Sequence, residues 1–430
     1  MVNSPLGWAA RNGQEEVVRM LLARDDIDPN KWDHERRTPL WWAAFNGHQG
    51  VVKMLLDRGG TDPNQQDRYG RTPLLVAVSE GWEGVVKMLL ERDDTNLNRC
   101  CYQGRTPLWW AACNCDQGMV KMLLGRDDTD PNGLDDSGQT PLGMAVSDGH
   151  EGVVKILLGR DDTDPNWAGR NGQTALCLAA QNGDQGMVKM LLGRNDTDPD
   201  KPDREGRTPL SIAASGGHEG VIKILLGRDD VNPNKLDKHN KIPLWWAAFG
   251  GHDGVVRALL ERDDVNTYTP DGYIYYDALS SAAYQGHDGV VKALLERVGE
   301  TPLWNAAQYG NHGLVKILLG QNISPDSPDE FGRTPLSMAA ENGHEEVVKL
   351  LLGRDDVNPV KPDNDGQTPL WWAARNGREV VVRLLLEKEE VSPDKPNRYG
   401  QTPLSIATRY GHARVIALLQ PPTDASHSAT

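Results

Sequence analysis

The chain has 430 residues, and at about 150 residues per domain that would make three globular domains. The composition does not suit them: it has 45 glycines, 27 prolines, and 13 tryptophans against 3 phenylalanines, which points to a turn-rich, periodic chain. Acidic residues outnumber basic ones by 61 to 46, a net charge of −15, and a general phosphate-backbone binder needs the opposite balance. No apolar run approaches the roughly 18 residues of a membrane span. The N-terminus lacks the basic and apolar regions of a signal peptide. Five cysteines are an odd number and too few to staple a chain of this length, so a reducing, cytoplasmic location is expected.

The first element begins at Ser4-Pro5, directly in a helix pattern. No turn or polar capping unit precedes Leu6 and Trp8, so a fragment, or a chain with a missing N-terminal neighbour, is expected. The next element sets the pattern for the rest. Thr38-Pro39-Leu40-Trp41-Trp42-Ala43-Ala44-Phe45-Asn46-Gly47-His48 and the Val51-Val52-Lys53-Met54-Leu55-Leu56 run recur down the chain. The units begin near residues 4, 38, 72, 106, 140, 174, 208, 242, 277, 301, 334, 368 and 402, which makes 13. A fixed period of 34 residues predicts one continuous all-α solenoid over residues 1–420, not separate domains.

Each unit reads as helix, turn, helix, loop. Thr at the N-cap can accept from the free N–H groups of the first turn, and Pro at the next position loses nothing because its missing N–H has no helical partner. Leu40, Ala43 and Ala44 form one apolar stripe, and Gly47 ends the helix where a left-handed residue is cheap. Val51, Val52, Leu55 and Leu56 form the apolar face of the second helix, with Lys53 outward. Arg58, Arg92, Arg126, Arg160, Arg194, Arg228 and Arg262 end it, where a cation suits the helix dipole. A loop such as Asp127-Asp128-Thr129-Asp130-Pro131-Asn132 follows. Its acidic pairs, stacked from unit to unit, predict a solvated acidic row beside the Arg row, with weak ladder salt bridges.

Two segments depart from the pattern. Between Leu295 and Thr301 the turn segment is deleted. Five extended residues reach about 17 Å, enough to cross between packed helices. Just before it, Pro270-Asp271-Gly272 signals a turn followed by Tyr273, Tyr275 and Tyr276. This is either a decayed repeat or mis-spliced gene, or an aromatic contact finger, since Tyr offers large area at low entropy cost. The far end, residues 421–430, is Pro, Ser and Thr with little apolar content and is expected to be disordered.

No catalytic or metal pattern survives comparison with the repeat. Histidine follows the helix-ending Gly at His48, His150, His218, His252, His287, His344 and His412, a repeat feature expected to cap the turn. The second His that a zinc-protease helix needs is Val or Ile. Asp128-x-Asp130-x-Asn132-Gly133 opens like a calcium loop, but Gln139 stands where the bidentate Glu belongs. Cys100, Cys101, Cys113 and Cys115 lie close in sequence, yet Cys101 and Cys113 fall at opposite ends of one unit and read as drift in unit 4. No nucleophile–base pair or phosphate loop is present, so neither an enzyme nor a cofactor is expected.

The unit resembles the ankyrin repeat, a β-turn followed by two antiparallel helices, on its T-P-L-x-x-A-A and G-H signatures over residues 1–420. The usual His after T-P-L is replaced by Trp, Ser, Leu, Gly or Cys, and the loop is one residue longer. The R-D-D-x-D-P-N loops and W-W-A-A helices resemble most closely the arrays of filamentous fungi, often the C-terminal sensor part of NACHT-type, NOD-like receptor proteins; this chain carries no nucleotide-binding motif. The resemblance implies a non-catalytic interaction scaffold or ligand-sensing array that binds a protein partner on its concave face. A structural spacer in a larger receptor-type protein is the alternative, and a metal-dependent enzyme the remotest. Neither nucleic acid, membrane nor small-molecule substrate is expected, and the chain would be a monomer or part of a larger multidomain protein.

Positions that vary between units while staying exposed are free for recognition. They fall at the finger tips (Arg68, Tyr69, Arg71, Tyr102, Arg105, Tyr273, Tyr275, Tyr399) and just before the helix-ending Gly (Phe45, Phe249, Tyr284, Tyr309, Arg375, Tyr410). In the family resembled, these match the concave binding surface. Trp41, Trp109, Trp245, Trp304 and Trp371 occupy one helix position, with Trp41 and Phe45 on the same face. They either pack between repeats or line the groove as hot spots.

Overall fold

The computed structural model describes residues 4–266, 277–298, 303–320 and 323–420. Among the described residues there are 26 helices in thirteen pairs, and no strand. The chain forms two compact bodies, Met1–Pro243 and Leu244–Thr430.

In the first body each pair opens as the sequence predicts. Thr38 Oγ1 accepts from Trp41 N at 3.1 Å, Thr72 from Leu75 N at 3.1 Å, and Thr106 from Trp109 N at 3.2 Å, with Pro at the first helical position. The first helix of unit 2, Pro39–Phe45, stops at Gly47, whose φ of 75° admits the turn. A Cβ there would also lie 2.6 Å from the Trp82 ring, so glycine is required twice over. In unit 4 Cys115 holds the same turn at φ 58°. First helices pack on first helices and second on second, with Ala43, Ala44, Val51, Val52 and Leu55 fully buried. The Ala pair gives up side-chain volume so that neighbouring helices can approach.

Polar ladders between successive units complement this packing. Imidazole Nε2 of His48, His150 and His218 bonds the carbonyls of Arg11, Cys113 and Gln181, each 37 residues back. The histidines thus tie down the preceding unit's first helix and make no side-chain cap on their own. Trp82 Nε1 does the same job on Phe45 O at 2.9 Å. The arginine row is also an inter-unit device. Arg92 Nη1 donates to Leu56 O at 2.8 Å, Arg126 to Leu90 O and Arg160 to Leu124 O at the same distance, satisfying carbonyls at the end of the previous second helix. The salt bridges lie within each loop: Arg92 meets Asp94 at 2.6 Å and holds that carboxyl below the usual carboxylate range by its hydrogen bond.

A third ladder runs through the loops. Asn64 Nδ2 donates to Asp94 O at 2.6 Å while its Oδ1 accepts from Asn96 N at 2.7 Å; Asn30, Asn98, Asn132 and Asn166 do likewise. Each bond contributes about 1 kcal/mol to an inter-unit interface.

The second body repeats the scheme. His344 reaches Gln308 O at 2.8 Å and His412 reaches Arg375 O at 2.9 Å. Arg378 Nε takes the histidine's place on Glu341 O at 3.1 Å. The helix Asp288–Val298 has eleven residues against the usual eight, and residues 299–302 after it, where the shortened connection was expected, lie outside the described residues.

Candidate functional site

Most of the described fingers are β-turns held by a buried aspartate side chain. Asp33 Oδ1 accepts from the backbone N–H of Glu35 and Arg37 at 2.9 and 3.0 Å, and Oδ2 from Arg37 Nε at 3.0 Å and Trp42 Nε1 at 3.2 Å. Burial pushes this carboxyl up, but the Arg37 N–H and guanidinium, the Glu35 N–H and the Trp42 indole outweigh it and hold it below the usual carboxylate range. Asp67, Asp203 and Asp329 clamp Arg71, Arg207 and Arg333 in the same way, at 2.8, 2.8 and 2.9 Å. Neighbouring fingers join through their backbones: Arg68 N to Glu35 O at 2.8 Å, Tyr102 N to Tyr69 O at 3.0 Å, Asp136 N to Gln103 O at 2.8 Å. In the second body Asn364 N reaches Phe331 O and Arg398 N reaches Asp365 O, both at 3.0 Å. The tips are therefore fixed in spacing before any partner arrives.

The expected site residues divide by exposure. Tyr69, Tyr102, Tyr309, Tyr399 and Tyr410 are 56, 69, 48, 68 and 50% exposed, and Phe249 is 42% exposed. Arg68 is exposed; Phe45, Arg71, Arg105, Trp245, Trp304 and Arg375 are half-buried. Trp41, Trp109 and Trp371 are 2, 3 and 3% exposed, which corrects the reading of these three rings as groove-lining hot spots. Trp41 stacks on Phe45 at 5.1 Å and meets Trp42 edge-on at 5.2 Å within its own helix, and lies under the Arg71 guanidinium of the next finger at 5.2 Å. The indole N–H groups of Trp41, Trp109 and Trp371 are buried without a partner. Tyr273, Tyr275 and the Tyr284 side chain lie outside the described residues.

Sequence reasoning passed over the finger aspartates, the asparagine ladder, and exposed Phe331 at 57%. The aspartates were legible as an Asp five residues before the capping Thr, but only the structure gives them partners. Between units 5 and 6 lies a cavity of about 220 Å³ lined by Gln139, Gly143, Trp167, Arg170 and Gln173; Gly143 stands where other units carry a buried Trp. Burial pushes the thiols of Cys113 and Cys177 up, which keeps them protonated. No group of three or more His, Cys, Asp or Glu suited to a metal occurs among the described residues. No helix among them is long and apolar enough to cross a membrane.

Paired helices joined by aspartate-locked turns and tied repeat to repeat define an α-helical repeat solenoid. A family model described as Ankyrin repeats (3 copies) matches residues 2–67, 59–135, 116–203, 186–269, 279–363 and 357–429, and the chain belongs to that family. Ankyrin repeats generally mediate protein–protein interaction and are generally non-catalytic. No curated protein matches the chain.

Proposed function

We propose that this protein is a non-catalytic scaffold or sensing array that binds a protein partner along the face made by its finger tips and the C-terminal ends of its first helices, the concave face in the family. The observation that carries this reading is a set of exposed tyrosines, Tyr69, Tyr102 and Tyr399, on turns whose backbone is already fixed, by the Asp67 carboxylate and the Asn397 amide for Tyr69 and Tyr399 and by backbone bonds alone for Tyr102. Large rigid rings on a preorganised frame bind with little ordering cost. The W-W-A-A and R-D-D-x-D-P-N resemblance to fungal arrays supports a place in a receptor-type protein. Alanine at Tyr69, Tyr102, Tyr309 and Tyr399 is expected to strip specific partners from a lysate pull-down while leaving the helical circular-dichroism signal intact. An unchanged partner set would overturn the reading.

A further inference from the structure

The finger ahead of unit 4 keeps the shape of its neighbours and lacks their carboxylate. Its turn closes through Cys101 N to Arg105 O at 3.1 Å and Gly104 N to Cys101 O at 2.9 Å, as the finger ahead of unit 3 closes through Asp67 and Arg71. Cys101, however, stands in the aspartate's place. Five described fingers carry Arg four residues after that place: Arg37, Arg71, Arg105, Arg207 and Arg333. Four are clamped by the aspartate of their own finger. Arg105 alone makes no ion pair, and its Nε is buried without a hydrogen-bond partner.

A second donor is stranded at the same place. Trp42 Nε1 and Trp372 Nε1 donate to Asp33 and Asp363 at 3.2 and 3.0 Å. Trp110, their equivalent in unit 4, has a buried Nε1 with no partner. The guanidinium is held in position nonetheless, 4.3 Å over the Trp109 ring and 5.3 Å from Trp110. A half-buried cation and an indole N–H thus converge on the place where the other fingers with Arg hold an aspartate and this one holds the uncharged Cys101. Leaving both unpaired is costly, and the cost is recovered when an acceptor arrives.

We infer that Arg105 and Trp110 form a carboxylate-binding site on the finger face, which takes an Asp or Glu side chain of the protein partner in place of the missing internal carboxylate. The partner carboxylate accepts from the Arg105 guanidinium and the Trp110 indole, as Asp33 accepts from Arg37 and Trp42. Exposed Tyr102 on the same turn flanks the approach. The inference rests on the proposed protein-binding role of this face and adds the chemistry of one contact. It also sets this finger apart among the five described fingers with Arg: in the other four the site is filled from within.

The test uses the full-length chain labelled with ¹⁵N at its indoles, with the Trp110 resonance assigned by Trp110→Phe. The probe is the acetylated, amidated pentapeptide Gly-Gly-Glu-Gly-Gly, with Gln for Glu as the control, at concentrations on the order of 10 mM. The Glu peptide is expected to shift the Trp110 N–H in a saturable way and the Gln peptide to leave it in place. Cys101→Asp, which restores the arrangement of unit 2, is expected to shift the resonance without peptide and abolish the response; Arg105→Gln is expected to abolish it without refilling the site. No response in the wild-type chain, or an equal response in Cys101→Asp, would overturn the inference. A silent Trp110 beside partner loss in the tyrosine variants removes this contact alone, whereas an unchanged partner set removes the wider reading.

Discussion

The fingers ahead of units 2 and 4 introduce nearly the same helix, Pro-Leu-Trp-Trp-Ala-Ala, and share the same backbone turn. In the first, one buried carboxylate satisfies two backbone N–H groups, a guanidinium and an indole. In the second, a thiol in that position satisfies none of them, yet the turn still closes. The carboxylate is therefore not needed to shape the finger. It neutralises the finger from inside, and where it is absent the arginine Nε is left buried without an acceptor, with the guanidinium over the Trp109 ring.

The strongest way to break that contrast is to remove the carboxylate from unit 2. Asp33→Cys should strand Arg37 and the Trp42 N–H and cost roughly 3 kcal/mol, since breaking a largely buried pair leaves an uncompensated charge. Urea unfolding would read this as a lowered midpoint at unchanged slope, and no change would mean the clamp contributes nothing. The reverse exchange, Cys101→Asp, should gain about 1–2 kcal/mol in the same assay by supplying an acceptor to two stranded donors.

A smaller effect sharpens the comparison in the loops. Asp200 and Asp326 stand where other units carry the ladder asparagine, each accepting one backbone N–H through Oδ2, from Asn232 at 2.8 Å and Asn358 at 2.9 Å. Their Oδ1 atoms are buried without a partner, where asparagine would present its donating amide. Burial pushes both carboxyls up. A raised folded-state pKa means that the native state holds the proton more tightly than the unfolded chain. The stability this contributes is complete below the unfolded value of about 4 and is lost as pH rises through the folded value. Asp200→Asn and Asp326→Asn should therefore each stabilise by about 1 kcal/mol at pH 7, and the gain should shrink toward zero near pH 4. Thermal melts of wild type and variants across that range would show it; a gain independent of pH would argue against the titration.

Much of this was open to reading from the chain. The period, the Thr-Pro helix starts, the Gly stops and the apolar stripes are local, because helix signals act within four residues. The exposed tyrosines were legible too, as positions that vary between otherwise identical units. The tryptophans were not: whether Trp41 lies at a surface depends on Arg71, thirty residues away in the next finger. The same holds for the histidines and arginines, whose position within a unit suggested roles in their own helices while their bonds go to the unit before.

The sequence by itself determined that this protein is a helical repeat array, since a 34-residue period of short amphipathic pairs cannot bury its apolar faces except by stacking. The tertiary structure decided which polar groups are satisfied and which are left over. A substitution such as Cys for Asp at 101 reads as drift until the donors it abandons, Arg105 and Trp110, are seen together in space. Burial and hydrogen bonding are properties of spatial neighbours, which here lie within the same finger for Cys101 and a full repeat away for the histidine and arginine ladders.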